Sequence, residues 1–178
     1  MTELPKPLSD IWADLSAQRS LLIDRLTGLD AEATLRSPGP GEWSTAQLVD
    51  HLLLAEGFTN DFMKPMLAQA RAAGQATGFP AELQAFDPLP PPLGMEAPPP
   101  IRPQKELPAQ ELIDALQAMG ERSKTTLEAL ASVDPRKLRM PHPLFDPPLD
   151  FGQWWALHAI HYAMHNAQAQ AALGGDRG

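Results

Sequence analysis

Three histidines in two separated stretches carry the clearest chemical signal of this chain. His51 lies in Trp43-Ser44-Thr45-Ala46-Gln47-Leu48-Val49-Asp50-His51-Leu52, and His161 and His165 lie in His161-Tyr162-Ala163-Met164-His165-Asn166-Ala167-Gln168. Positions four apart stand one above the other on a helix face, so His161 and His165 present two imidazoles together. A third imidazole from a facing helix completes a three-nitrogen site for a divalent ion. Such a site keeps coordination positions open, which suits catalysis better than structural metal binding. The chain has no cysteine, which removes disulfides, thiolate metal sites and a cysteine nucleophile. Histidine, carboxylate and water are the transition-metal ligands that remain.

On a helix turning ~100° per residue, His158, His161, His165 and Gln168 share one face, flanked by Leu157, Ile160 and Met164. Several polar side chains buried together each need a partner, and a common ligand supplies one. His158 cannot share an ion with His165, because the intervening residues rise ~10.5 Å. It reads as a supporting or substrate-facing residue, or as a core histidine with a hydrogen-bond partner. His142, between Pro141 and Pro143, is placed to reach the mouth of a site or to stand exposed in a turn. His158, His142, Glu56 and Asp50 are the candidates for a general base, and spacing singles out none of them. Glu56, ~140° around the helix from His51, is expected at the edge of a bundle. A di-iron centre needs Glu-x-x-His pairs, and none occurs. His-Glu-x-x-His is absent too, since Tyr follows His161. The bland alternative is structural, with the histidines hydrogen-bonded to one another in a core.

The elements that must bring these residues together read as helices. Trp12, Leu15, Leu22, Leu26 and Leu29 form one apolar stripe, predicting a helix from near Leu8 with Ser9 or Asp10 as its cap. Ser37-Pro38-Gly39-Pro40-Gly41 ends it. Ser44 with Gln47 forms a capping-box pattern for a second helix, whose stripe is Leu48, His51, Ala55, Phe58 and Phe62. Pro65 should kink that helix and Gly74 end it. A third helix fits Pro108 to about Ser132, with Pro108 in the first turn. The fourth runs from about Asp150 to Leu173, ended by Gly174-Gly175. Between the second and third helices, residues 78–106 form a proline-rich loop. Nine prolines from Pro80 to Pro103, including Pro90-Pro91-Pro92, exclude regular helix and central strand. It should be an extended excursion packed on the body through Phe79, Leu83, Phe86, Leu89, Leu93 and Met95. Pro141 to Pro148 reads as a second proline-rich connection, and no strand is expected. The fold class is therefore all-α, a four-helix bundle in a single domain over residues 1–178 with its core at about 8–173.

The formal charge of −8, with 14 scattered Lys and Arg, argues against a nucleic-acid partner. No run approaches the ~18 apolar residues of a membrane span. The polar, proline-bearing start predicts no signal peptide, and a cytoplasmic location is expected.

The ordered motifs resemble the DinB/YfiT-like superfamily. The matching residues are Gly41-Glu42-Trp43-Ser44 with Leu48 and His51-Leu52, then His142-Pro143-Leu144-Phe145, then Trp154 through His161, His165 and Gln168. The resemblance covers about residues 8–173. It implies an up-down-down-up bundle with a long second connection. It also implies a divalent metal, nickel or zinc most often, held by His51, His161 and His165. Family members include transferases and isomerases using a low-molecular-weight thiol, and metal-dependent hydrolases; dimers are common, so a homodimer is an expectation here. The segment from Pro80 to Pro103 is longer and richer in proline than the usual connection. Three neutral imidazoles leave the charge of an ion uncancelled, which favours the deprotonated form of water or of a thiol. Two readings follow: a metal-dependent thiol transferase or hydrolase acting on a small-molecule substrate, or a non-catalytic metal- or ligand-binding bundle.

Overall fold

Leu8, Leu15, Leu22 and Leu26 recur at helical spacing and are buried along one stripe of α1 (Lys6–Leu26). The helix starts earlier than the stripe implies. Pro5 stands at the N-cap, and neither Ser9 nor Asp10 caps it. The computed structural model describes residues 3–88 and 96–174. Leu89, Pro90-Pro91-Pro92, Leu93, Met95 and Gly175 lie outside the described residues.

A short helix α2 (Ala31–Leu35), capped by Asp30, was not expected from the periodicity. At α3 (Thr45–Ala72) both bonds of the capping box form: Gln47 N donates to Ser44 Oγ at 3.2 Å and Ser44 N donates to Gln47 Oε1 at 3.0 Å. The α3 helix continues through Pro65, which is solvent-exposed, so water can satisfy the carbonyl that proline leaves without a donor. Gly74, at φ +73°, follows its last turn. In α4 (Ala109–Leu130), Pro108 is the N-cap rather than a first-turn residue. Asp150 and Gln153 cap α5 (Phe151–Gly174) reciprocally, at 3.0 and 2.9 Å.

The second proline-rich connection is a β-hairpin, contrary to the expectation of no strand. β1 (Arg139–His142) pairs antiparallel with β2 (Phe145–Asp150), with Arg139 opposite Asp150 and Met140 opposite Leu149. Prolines are tolerated there because both strands of a two-stranded ribbon are edges, where a missing N–H costs little.

Side-chain contacts define the helix directions. α3 and α5 are antiparallel, with His51 meeting His161, Thr59 meeting His158 and Phe62 meeting Trp154. α1 and α5 are parallel, with Gln18 meeting Asn166 and Arg25 meeting Gln170. α3 and α4 are also parallel, with Glu56 meeting Ser123, Asn60 meeting Thr126 and Arg71 meeting Ser132. The bundle is therefore up-down-down-up. Since α3 and α4 are parallel neighbours, the chain between them must travel back along the bundle. The 22 residues of α4 span ~33 Å. A polyproline-like segment covers that in about eleven residues, whereas a helix would need twice as many. Among the described residues no helix is long and apolar enough to cross a membrane.

Candidate metal centre

The α3–α5 seam brings the three histidines together. His161 Nε2 lies 2.9 Å from His51 Nε2 and 3.0 Å from His165 Nε2. One nitrogen from each residue falls within 4.8 Å of the others. The three rings meet edge to face, with centroids 4.8, 4.9 and 4.6 Å apart.

Neighbouring oxygens settle where the protons sit. His51 Nδ1 lies 2.6 Å from the Ile101 carbonyl oxygen. A carbonyl only accepts, so this nitrogen carries the hydrogen and Nε2 is left with a bare lone pair. His165 Nδ1 lies 2.6 Å from Gln168 Oε1 and is held in the same tautomer. Two lone pairs are thus aimed at His161 Nε2, which has at most one hydrogen for them. One close nitrogen pair is left with no proton between its atoms. A cation among the three nitrogens removes that conflict. Tetrahedral bonds of ~2.0–2.1 Å separate ligand nitrogens by about 3.3–3.4 Å. The two His161 pairs, at 2.9 and 3.0 Å, reach this by opening about 0.4 Å, and all three nitrogens lie within 4.8 Å of one another, so the donor set fits a divalent transition metal after a small adjustment of the rings.

Electrostatics agree with that fit. Burial pushes His165 down to about 4 and lowers His51. His161 lies well below its ordinary value, first through burial and then through its neighbours His165 and His51. All three are neutral near pH 7, the state in which imidazole binds metal. Trp43 packs against His51 with ring centroids 4.9 Å apart. His51 and His165 are buried, while His161 is half-buried and leaves that side of the cluster accessible.

The remaining candidates are placed elsewhere. His158 is a buried core residue, its Nε2 2.8 Å from the Thr59 hydroxyl, and burial pushes it down to about 4. His142, on β1, accepts at Nδ1 from the Leu144 N–H at 3.1 Å and packs between Phe145 and Trp154. Burial pushes it to about 4 as well, and its ring adds a small opposition to protonation of His161. Glu56 is not at the bundle edge. It is fully buried, ion-paired with Arg19 of α1, and accepts from Ser123 of α4 and Tyr162 of α5. Asp50 is also engaged: its Oδ2 accepts from the backbone N–H of Gln104 at 2.6 Å and of Lys105 at 3.0 Å. Arg19 and Tyr162 escaped the sequence reading, although Arg19 interrupts the leucine stripe between Leu15 and Leu22. Ile101 carries no signal at all, because its contribution is a backbone carbonyl.

A family model described as the DinB superfamily matches residues 14–169, and the chain belongs to that superfamily. Among solved structures it is similar to "TT2238, a four-helix bundle protein", with a TM-score of 0.57 and 20% identity, covering 92% of this chain and 98% of that one. At that identity the likeness shows the fold alone. Comparison with curated proteins found no match.

Proposed function

We propose that this protein is a metal-dependent enzyme of the thiol-transferase or hydrolase type, using zinc or nickel and acting on a small-molecule substrate. The observation that carries the reading is the convergence of three neutral imidazoles whose tautomers leave nitrogen lone pairs facing one another. His51, His161 and His165 would hold the ion. When bound, the ion supplies positive charge that favours the deprotonated form of a water or small thiol beside it. The protein's own contributions are positional. Ile101 and Gln168 hold two of the rings in the binding tautomer, and Trp43 covers one side of the cluster. The half-buried face of His161 is the approach for a small molecule. With no cysteine in the chain, a reacting thiol would be a low-molecular-weight cofactor. Proton handling falls to His142, whose neutral ring keeps its hydrogen at Nε2, or to His158. A cytoplasmic homodimer is part of the same proposal.

Metal analysis of protein purified without chelator or metal-affinity tag tests the centre. About one equivalent of zinc or nickel is expected, and less than about one tenth would overturn the reading. Ester and amide substrates, screened with and without added thiols, then test the chemistry. A second reading is a non-catalytic metal- or ligand-binding bundle. The engagement of Asp50 and Glu56 in other bonds favours it, since neither carboxylate is left to act as a base. A metal-loaded protein inert towards every substrate would support it.

A further inference from the structure

We infer that Asp50 is a positioning residue of the metal centre, acting through the backbone of residues 101–105 rather than through contact with an ion. This rests on the metal reading above. Asp50 precedes His51 on α3 and is only 6% exposed. A carboxylate so buried needs strong compensation, and two successive backbone N–H groups supply it, those of Gln104 and Lys105. Three residues before Gln104, the Ile101 carbonyl accepts from His51 Nδ1. Arg102 and Pro103 join the two anchor points, and the proline ring stiffens the link. One turn of α3 thus grips the returning loop at both ends: Asp50 holds residues 104 and 105, and the loop in turn presents its residue-101 oxygen to His51. Gln47, on the same turn, adds a bond from Nε2 to Glu106 at 3.0 Å.

The consequence is indirect control of a ligand. The Ile101 oxygen puts the hydrogen of His51 on Nδ1 and its lone pair on Nε2. Without Asp50 two loop N–H groups lose their acceptor, the loop shifts, and His51 loses the oxygen that orients it. Partners that orient a metal-bound histidine typically account for ~10–100-fold of metal affinity.

The test is zinc affinity of the full chain, measured by competition with a chromophoric chelator, alongside amide hydrogen exchange of the loop. Asp50→Ala should weaken zinc binding at least about tenfold and speed exchange at Gln104 and Lys105. Asp50→Asn removes the charge but keeps an acceptor oxygen, and it should stay within about threefold of wild type. Gln104→Pro removes one of the gripped N–H groups from the loop side, and should reproduce the loss without touching α3. Asp61→Ala removes the same charge from an exposed site on the same helix and should change nothing. If Asp50→Asn weakens zinc as much as Asp50→Ala, charge rather than grip is responsible and the inference falls. It falls equally if Asp50→Ala and Gln104→Pro both bind as wild type does. If Asp50→Ala fails to fold, Asp50→Asn and Gln104→Pro decide the question. Failure of wild-type protein to bind zinc at all would instead remove the metal reading, and this assignment with it.

Discussion

The Glu56 carboxylate on α3 accepts the Tyr162 hydroxyl on α5 at 2.7 Å, one position along from His161. The same carboxylate is ion-paired with Arg19 on α1 and accepts from Ser123 on α4. One side chain therefore ties all four long helices together beneath the histidine cluster. Burial works against the charge on Arg19, but the Glu56 charge and hydrogen bond outweigh it and hold the guanidinium above its ordinary value. Burial, and then Glu56, pushes the Tyr162 hydroxyl well above its own, so it remains a donor.

Removing the shared carboxylate should be among the costliest single changes in this protein. Glu56→Ala strands a buried guanidinium and is expected to cost about 3–5 kcal/mol in urea unfolding. Tyr162→Phe loses one hydrogen bond and should cost about 1–3 kcal/mol. A loss below about 1 kcal/mol for Glu56→Ala would show that the network does not hold the helices together.

Zinc should raise the melting temperature of the wild-type chain, because an ion binding only the native state stabilises it by mass action. At a hundredfold excess over Kd the gain is about 2.7 kcal/mol. Alanine at His51, His161 or His165 should abolish that gain. His158→Ala should keep most of it, since His158 bonds to Thr59 rather than joining the cluster. Greater damage from His158→Ala than from the other three would mean that the wrong histidines have been chosen as ligands.

Acid should destabilise the metal-free protein earlier than carboxylates alone would require. Burial holds His142, His158 and His165 at about 4 in the native state, against 6.5 ordinarily. Between those values the unfolded chain binds more protons than the native one, so stability falls as pH drops. The contribution is present above pH 6.5 and is lost as pH falls through about 4. For the fully buried His158 it is about 3 kcal/mol. Urea midpoints from pH 7 down to about 4.5 should decline, and His158→Gln should flatten the curve. A flat wild-type curve would count against neutral buried histidines.

Gly152 is needed for close approach of the loop to α5. A Cβ there would meet Leu83 Cδ2 at 3.0 Å and Asp150 Oδ1 at 3.2 Å. Gly152→Ala should therefore disturb both the packed loop and the Asp150–Gln153 cap, costing about 1–3 kcal/mol by urea unfolding. A neutral or stabilising result would mean that Leu83 yields freely.

Much of the scaffold was legible because helical periodicity and capping are local. The Ser44–Gln47 box forms as its spacing predicts, and the leucines of α1 turn inward as their stripe requires. The hairpin was hidden because Pro141, Pro143, Pro147 and Pro148 argue against strand wherever an N–H is needed, and only pairing shows that none is. Glu56 was misplaced because angular position around one helix does not reveal what the other helices present to it. Arg19 and Tyr162 supply that answer from 37 and 106 positions away along the chain, beyond any local window.

By itself the sequence determined which residues could bind metal, since histidine chemistry and the i,i+4 spacing on one helix are properties of short segments. Tertiary structure alone decided that His51 meets that pair, that the Ile101 and Gln168 oxygens set the tautomers, and that the Asp50 carboxylate accepts from two backbone N–H groups of the loop. The reason is that hydrogen-bond direction depends on where a distant oxygen comes to rest, and a backbone carbonyl is the same in every residue.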